Sequence, residues 1–559
     1  MAAAERRILL SGGIRGPIDV VELDGDDRAV ARQRLDGSEL HAWVTEQERT
    51  GHVRWVLRSA ATLHRRLLAE GVVLSRAHDL ELCHAILRDT DRTAAPVWPS
   101  PRWVRGEVAE PNLLDSLTAH GEDPVQDALE QYGEQRRALA SAPDGRLAML
   151  CAAESAGALI AEELRAAGLP WDRARHDRIL VETLGARSPS GGTPAIMAER
   201  AAEVRRLLGD ERANLDSHPK LLRSLHRVGV QAASTSKWEL ERFDHPVIEP
   251  LLEYKRLARL LAANGWNWLD EWVVHGRFRP VYIVGGVVTG RWASSGGGAL
   301  QVPRMLRPAV HADPGWTLVV ADVAQLEPRM LAAMARDEAM ATAARGADLY
   351  EGVVDSGAVT TREEAKYAVL GAMYGATTGD SGRLVPRLRK VYPRAMRLVD
   401  DAARTGERGG RVSTWLGRTS PAPDRAWQAA QSAASDVDAA SADGRRAGQA
   451  ARERGRFTRN FIVQGTAAEW SLIWLAEMRH RLSQLPAARH PAPASGPFAH
   501  RAHLAFFLHD EVIVHAPAEH AAQAAEAVRE AAAVATTRLF GTFPIDVPLD
   551  LRITESAEK

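Results

Sequence analysis

Asp322 and Asp510 are the residues of this 559-residue chain whose setting first suggests chemistry. Asp322 closes the apolar run Trp316-Thr-Leu-Val-Val-Ala-Asp322, and Pro328 then opens an Ala/Met-rich segment with helical spacing. That reads as a buried strand delivering one carboxylate at its end before a helix begins. Far along the chain, two apolar runs in Leu504-Ala-Phe-Phe-Leu-His-Asp-Glu-Val-Ile-Val-His515 flank His509, Asp510 and Glu511. They predict a hairpin with Asp510 at its tip. One acid at a strand end is more often a cap or turn residue than a ligand. Two strand-borne carboxylates can instead hold a pair of divalent cations roughly 3.5–4 Å apart, the arrangement that stabilises both entering and leaving oxygens in phosphoryl transfer.

A second group lies in Thr361-Arg-Glu-Glu-Ala-Lys-Tyr-Ala-Val-Leu-Gly-Ala-Met-Tyr-Gly375. Arg362, Lys366, Leu370 and Tyr374 fall at four-residue steps, so a helix would carry them as one stripe. Two cations one turn apart repel unless a polyanion lies across them, and a triphosphate would do so. The plain alternative is a helix with solvated charges at its start. Lys366 weighs against it, because only six of the 71 basic residues are Lys. A Lys kept in so Arg-biased a chain points to a compact ammonium able to neutralise phosphate and donate a proton to a pyrophosphate leaving group. Elsewhere, Arg291 follows Thr289-Gly290 at the end of a strand-like stretch and would suit a phosphate or base edge. Asn460 and Gln464, again four apart, begin an apolar helical run and could share a face towards a duplex minor groove. Alone, each of these reads as an ordinary polar residue.

The chain that positions these residues is too long for one core and suggests three or four packed units. A net charge of -1 gives no global field for nucleic acid, so any basic footprint must be local. Two cysteines, Cys83 and Cys151, are too few for a disulfide framework and fit a reducing compartment. No stretch is long and apolar enough to predict a membrane span. The first 140 residues read as a small α/β unit, with short apolar runs at 8–10 and 72–74 among helical patterns such as 53–68, and a Pro-rich surface loop over 96–111. Glu22, Asp24, Asp79 and Asp127 read as solvated or capping acids. Residues 145–280 are predominantly helical: helices over 152–168 and 195–208, a polar loop at 232–237, and a long helix from 245. They fit either a stalk that grips a duplex or a plain bundle. A strand pattern follows over 281–295, then a Gly-rich turn and Leu300-Gln-Val-Pro303. Basic clusters sit at 383–394 and 445–459, a helical stretch at 421–452, an exposed loop at 485–497, and a last amphipathic helix at 518–539. There is no Gly-x-x-x-x-Gly-Lys-Ser/Thr, Gly-x-Gly-x-x-Gly, Cys-x-x-Cys or His-Glu-x-x-His stretch, which argues against an NTPase motor, a dinucleotide enzyme and a zinc hydrolase.

Taken in order, these stretches resemble the polymerase core of family A DNA polymerases, the DNA polymerase I type. Asp322-Val-Ala-Gln-Leu-Glu-Pro-Arg329 resembles motif A, Arg362 to Gly375 motif B, and Leu508-His-Asp-Glu511 motif C. Thr289-Gly-Arg291, Tyr392-Pro393, Gly417-Arg418 and Gln464-Gly-Thr-Ala-Ala468 extend the likeness. The resemblance implies an α/β and α+β multidomain fold, a right hand of palm, fingers and thumb with a small N-terminal α/β exonuclease-like domain. Its expected parts are a degenerate 3′-5′ exonuclease-like domain at 1–140, thumb and helical connection at 141–280, palm at 281–335, fingers at 336–425 and palm again at 426–559. It implies two Mg²⁺ ions, replaceable by Mn²⁺, on Asp322, Asp510 and the Val323 carbonyl, with Glu511 in support. Arg362 and Lys366 would hold the triphosphate, with Gln325 and Tyr350 near it. Glu327 would exclude ribonucleotides at the sugar 2′ position, Leu370 would lie against the nucleotide, and Tyr374 would stack at the template position. Arg291 and Gln464 would probe the minor groove, Arg329 and His509 hold the primer end, and Arg456 and Asn460 touch the template.

The implied partners are primer-template DNA and deoxynucleoside triphosphates, for a monomeric, cytoplasmic, nucleoid-associated enzyme. Leu370 stands where the family is aromatic, Tyr350 where a phosphate-contacting His is usual, Val323-Ala324 where motif A has Tyr-Ser, and Pro328 where it has an aliphatic residue. The Asp-x-Glu of a proofreading site is not found in the N-terminal stretch. The alternative reading is a nucleic-acid-binding relic that keeps the palm without turnover.

Overall fold

In the computed structural model, which describes residues 5–13, 15–100, 103, 123–187, 191–298, 302–346, 348–375, 379–435 and 440–558, the chain forms two units. One comprises Met1–Gly168, Val281–Ser295 and Pro314–Thr554; the other comprises Leu169–Pro280, Gly296–Asp313 and Glu555–Lys559. The first unit begins with a five-stranded sheet of order β3-β2-β1-β4-β5. Its strands are β1 (Arg6–Ser11), β2 (Ile18–Leu23), β3 (Ala29–Leu35), β4 (Val53–Leu57) and β5 (Ala77–Asp79). Helices α1 (Gly37–Thr50), α2 (Ala60–Ala69), α3 (Leu80–Leu87), α4 (Pro124–Ser141) and α5 (Arg146–Ala167) accompany it.

The expected helix over 53–68 is corrected here. Val53–Leu57 pairs in parallel with β1, Trp55 opposite Ile8, and the helix starts only at Ala60. A strand buried on both faces has no polar alternation to betray it. The short apolar run at 72–74 forms no strand; Val72 and Leu74 are buried in irregular chain. Most of the Pro-rich 96–111 stretch and residues 300–301 lie outside the described residues. Asp79 is a cap, as read: its carboxylate accepts from Leu82 N at 2.9 Å and Ala60 N at 2.7 Å.

The second unit holds α6 (Arg173–Leu184), α7 (Ala195–Leu207), α8 (His218–Arg227), α9 (Lys237–Leu240), α10 (Ile248–Asn264) and α11 (Trp266–Trp272). The two-residue strands β6 (Leu169–Pro170), β7 (Val273–Val274) and β8 (Arg277–Phe278) complete it. Trp171, His176, Trp268 and Phe278 pack ring on ring at its centre. Burial pulls His176 down to about 4, so the ring is neutral, accepting from Trp171 Nε1 and donating through Nε2 to the Asn264 carbonyl. The Ser/Thr loop at 232–237 is docked rather than projecting: Thr235 is buried and its carbonyl accepts from the Lys255 ammonium.

Returning to the first unit, β9 (Val281–Ile283) and β10 (Ala293–Gly296) form a two-stranded sheet. Next come β11 (Trp316–Val323), α12 (Leu326–Met334), α13 (Glu338–Ala343), α14 (Leu349–Asp355), α15 (Arg362–Tyr374), α16 (Gly379–Val391), α17 (Pro393–Glu407) and α18 (Arg425–Ser435). The 43-residue α19 (Ser441–Ser483) follows, then β12 (His503–Leu508), β13 (Glu511–Pro517), α20 (Ala521–Phe540) and β14 (Leu549–Thr554). Asn460 and Gln464 therefore lie inside one helix rather than at its start, and the Arg cluster at 445–459 is its earlier turns. The stretch at 485–497 is only partly exposed, since Ala488, Ala492 and Ser495 are buried. Trp470 and Trp474 on α19 are fully buried and donate to Thr536 Oγ1 and the Val528 carbonyl of α20. Among the described residues no helix is long and apolar enough to cross a membrane.

Asp337 pins two helices at once. It caps α13 through Met340 N at 3.1 Å and receives the first amides of α17, Arg394 N at 3.1 Å and Ala395 N at 3.0 Å, while only 2 % exposed. Asp337→Ala leaves buried amides without acceptors and is expected to cost roughly 2–4 kcal/mol, read as a lower denaturation midpoint with an unchanged native circular dichroism spectrum.

Candidate active site

The sheet of order β12-β13-β11-β14 brings the distant acids together. Asp322 faces Glu511 on β13 and Asp550 on β14 in register, and Val323 N donates to the Asp510 carbonyl at 3.0 Å. The tight turn linking β12 to β13 uses His509 with a left-handed φ of 56°, a conformation His tolerates in turns. Burial first, then the neighbouring Asp322 carboxylate, pushes the Asp510 carboxyl up to about 6. His509 is lowered by burial and by Arg291. Asp550 went unnoticed in the sequence although Leu549-Asp-Leu-Arg-Ile-Thr554 alternates as a strand does; only the register sets it beside Asp322.

Helix α15 joins this region at its C-terminal end, where the Tyr374 hydroxyl donates to Glu327. Thr361 caps it by accepting from Glu364 N at 3.1 Å, and Gly375 ends it at φ 74°. A side chain at Gly375 would be strained at that φ and would bring its Cβ to 2.8 Å from Arg456 Cγ. Ala365, Ala368, Val369, Ala372 and Met373 are buried, whereas Arg362, Lys366 and Tyr374 are exposed and Leu370 is half-buried. The four-residue stripe therefore faces away from the core, as its spacing predicts. Arg362 Nε donates to Asp348 at 2.7 Å and its guanidinium lies 5.7 Å from the Tyr350 ring centre. Tyr350 is buried and its hydroxyl is pushed up to about 12, mainly by burial. Arg459, which the sequence reading treated only as part of a basic run, donates to the Ala372 carbonyl near the end of α15 at 2.7 Å and pairs with Asp400.

Glu327 is the junction of three elements. It pairs with Arg291 from the β9–β10 connection and accepts the Tyr374 hydroxyl at 2.6 Å. Burial and this hydrogen bond raise the Tyr374 hydroxyl pKa, so it stays a donor. Thr289 Oγ1 donates to Gln464 Oε1 at 2.8 Å, which occupies the amide acceptor and leaves its donors for groove acceptors. Asn460 is half-buried and Arg456 exposed along α19.

Two expectations change. Arg329, expected at the primer end, is fully buried and donates to the carbonyls of Ala324, Ala344, Asp546 and Gly346. It clamps chain segments and offers nothing to DNA, because burial made five donors available to five acceptors inside the fold. Gln325, expected near phosphate, sits at φ 47° with both ends of its amide engaged: Oε1 accepts from Leu349 N and Arg329 Nη2, each at 3.2 Å, and Nε2 reaches Asp348 at 3.4 Å.

The donor set suits a hard divalent cation. Asp322 and Asp510 offer carboxylate oxygens, and a cation would relieve the burial and repulsion that raise Asp510. Among the described residues no group of three or more His, Cys, Asp or Glu gathers as a metal cage. Mg²⁺ needs none, since it keeps waters and commonly binds one or two carboxylates plus substrate phosphates.

Comparison with known proteins follows the same line. Residues 193–558 match the family model for DNA polymerase family A. The thermostable DNA polymerase I of Thermus filiformis is 26% identical over 400 residues, 64% of this chain and 43% of that protein. That of Thermus thermophilus is 26% identical over 422 residues, 67% and 46% respectively. The chain thus spans less than half the length of these curated relatives. The POL domain of Pol1 from M. smegmatis, solved in complex with DNA primer-template and dNTP, superposes with a TM-score of 0.68 at 18% identity, over 100% of this chain and 96% of that one. That likeness shows that the chain shares the fold of that POL domain.

Proposed function

This chain belongs to DNA polymerase family A, and on that premise we propose that it is a template-directed DNA polymerase, adding deoxynucleotides to a primer 3′-hydroxyl. The observation that carries the reading is the register that seats Asp322 beside the Asp510 hairpin. In the reaction the primer 3′-hydroxyl attacks the α-phosphorus of the bound nucleotide in line, and pyrophosphate leaves. Asp322, Asp510 and the Val323 carbonyl would hold two Mg²⁺ ions, with Glu511 in support. Bound there, the ions supply stabilisation of charge on the entering and leaving oxygens.

The chain's own groups do the rest. Arg362 and Lys366 draw the triphosphate against α15, and Lys366 donates a proton to the departing pyrophosphate. Leu370 and Tyr374 meet the nucleotide and the templating position. Arg291, Gln464, Arg456, Asn460 and His509 orient the duplex. Glu327, fixed by Arg291 and Tyr374, closes the space a ribose 2′-hydroxyl would need. The five-part division, with 1–140 as an exonuclease-like remnant without proofreading, belongs to the same proposal, as do a monomeric state and a cytoplasmic, nucleoid-associated location.

The test is extension of a labelled primer on a template with Mg²⁺ and either deoxy- or ribonucleotides. Template-dependent growth supports the reading; tight duplex binding without growth overturns it and favours the relic. Glu327→Ala opens the sugar pocket, and the deoxy-to-ribo selectivity is expected to fall about 100-fold in single-nucleotide incorporation.

A further inference from the structure

We propose that Asp348 is a positioning residue for nucleotide capture, holding Arg362 by one edge so that the rest of its guanidinium stays open to a triphosphate. The proposal rests on the polymerase reading above. A guanidinium has five N–H donors, one on Nε and four on the terminal nitrogens. Asp348 takes only the first: Arg362 Nε donates to its Oδ2 at 2.7 Å. Among the described residues the terminal nitrogens have no hydrogen-bond partner, although the side chain is more than half exposed. The Tyr350 ring lies beneath, 5.7 Å from the guanidinium carbon. A carboxylate at the side and a ring below restrict a long, flexible side chain to one orientation without spending the fork that grips phosphate.

Asp348 is itself held. Its Oδ1 accepts from Tyr350 N at 2.9 Å and Glu351 N at 3.4 Å as the cap of α14, and from Gln325 Nε2 at 3.4 Å. Gln325 is fixed in turn by Leu349 N and by the buried Arg329. A chain of contacts thus runs from the motif A strand end through Gln325 and Asp348 to Arg362. It gives Gln325, two residues from Val323, a role in the nucleotide site without direct phosphate contact. Burial alone would raise the Asp348 carboxyl, but the Arg362 hydrogen bond and the Tyr350 amide outweigh it and hold it below the usual range, so the group stays ionised at neutral pH.

The experiment measures equilibrium binding of magnesium dATP to the full chain on a primer-template with a dideoxy-terminated primer and a templating T, which reads capture without turnover. Asn caps a helix as well as Asp, so Asp348→Asn keeps α14 while removing the second oxygen and the charge. It is expected to weaken binding about 10–30-fold in the wild-type background and less than about 2-fold beside Arg362→Ala. Unchanged or tighter binding overturns the proposal, the latter making Asp348 a competitor of the triphosphate. Equal losses in both backgrounds also overturn it, by reducing Asp348 to a cap. Asp348-sensitive binding without extension of an unblocked primer would sink the polymerase reading alone; extension with Asp348-insensitive binding would sink this one alone.

Discussion

Asp510→Asn is expected to abolish primer extension and, in metal-free protein, to raise stability. The first effect follows from removing one of two carboxylates that would hold the ions: several kcal/mol of charge stabilisation vanish, at least about three orders of magnitude in rate. The second follows from electrostatics already present in the fold. Burial and Asp322 lift the Asp510 carboxyl to about 6, above its unfolded value near 3.9. A folded-state pKa raised in this way makes an acid cost nothing below about pH 4 and progressively more until pH passes about 6. In EDTA the Asn variant should therefore match wild type at pH 4 and exceed it above pH 6 by roughly 1–2 kcal/mol. Saturating Mg²⁺ should raise the wild-type melting point and leave the variant unmoved. Extension surviving the substitution would refute the assignment of Asp510.

Arg479→Ala is expected to produce the largest loss of stability. On α19, Arg479 meets Glu163 of α5 through Nε at 2.8 Å and Nη2 at 2.6 Å, and donates to the carbonyls of Ser75 and Leu74. His64 of α2 contacts the same carboxylate at 2.9 Å. The site therefore ties the N-terminal sheet region to the helix that carries Gln464. Glu163 is buried, and burial would raise its pKa, but Arg479 and His64 outweigh that and lower it. Truncating the cation leaves a buried carboxylate with one partner, at a cost of about 3–5 kcal/mol. Because the folded pKa is lowered, the wild-type contribution is full above the unfolded carboxylate value and is lost as pH falls through the folded one. The variant and wild type should converge in strong acid and diverge at neutral pH, measured by denaturant midpoints. A uniform difference across pH would show that lost packing, and not the ion pair, is responsible.

What sequence alone could supply is clear from the residues involved. The strand ending at Asp322, the hairpin at Asp510 and the stripe Arg362, Lys366, Leu370, Tyr374 were legible because local hydrophobic period, turn chemistry and capping report on neighbours a few residues apart. Val53–Leu57 was misread because a fully buried strand carries no alternation. Long-range pairing was not legible at all. Only the folded chain puts Asp550 opposite Asp322, joins Glu327 to Arg291 and Tyr374, buries Arg329 among carbonyls instead of against DNA, and makes Asp348 at once the cap of α14 and the partner of Arg362. Each of those outcomes depends on which segments pack together, and the charge of a side chain fixes neither its burial nor its partner until that packing is complete. The sequence determined which groups could do chemistry; the tertiary structure decided which of them face substrate and which hold the others in place.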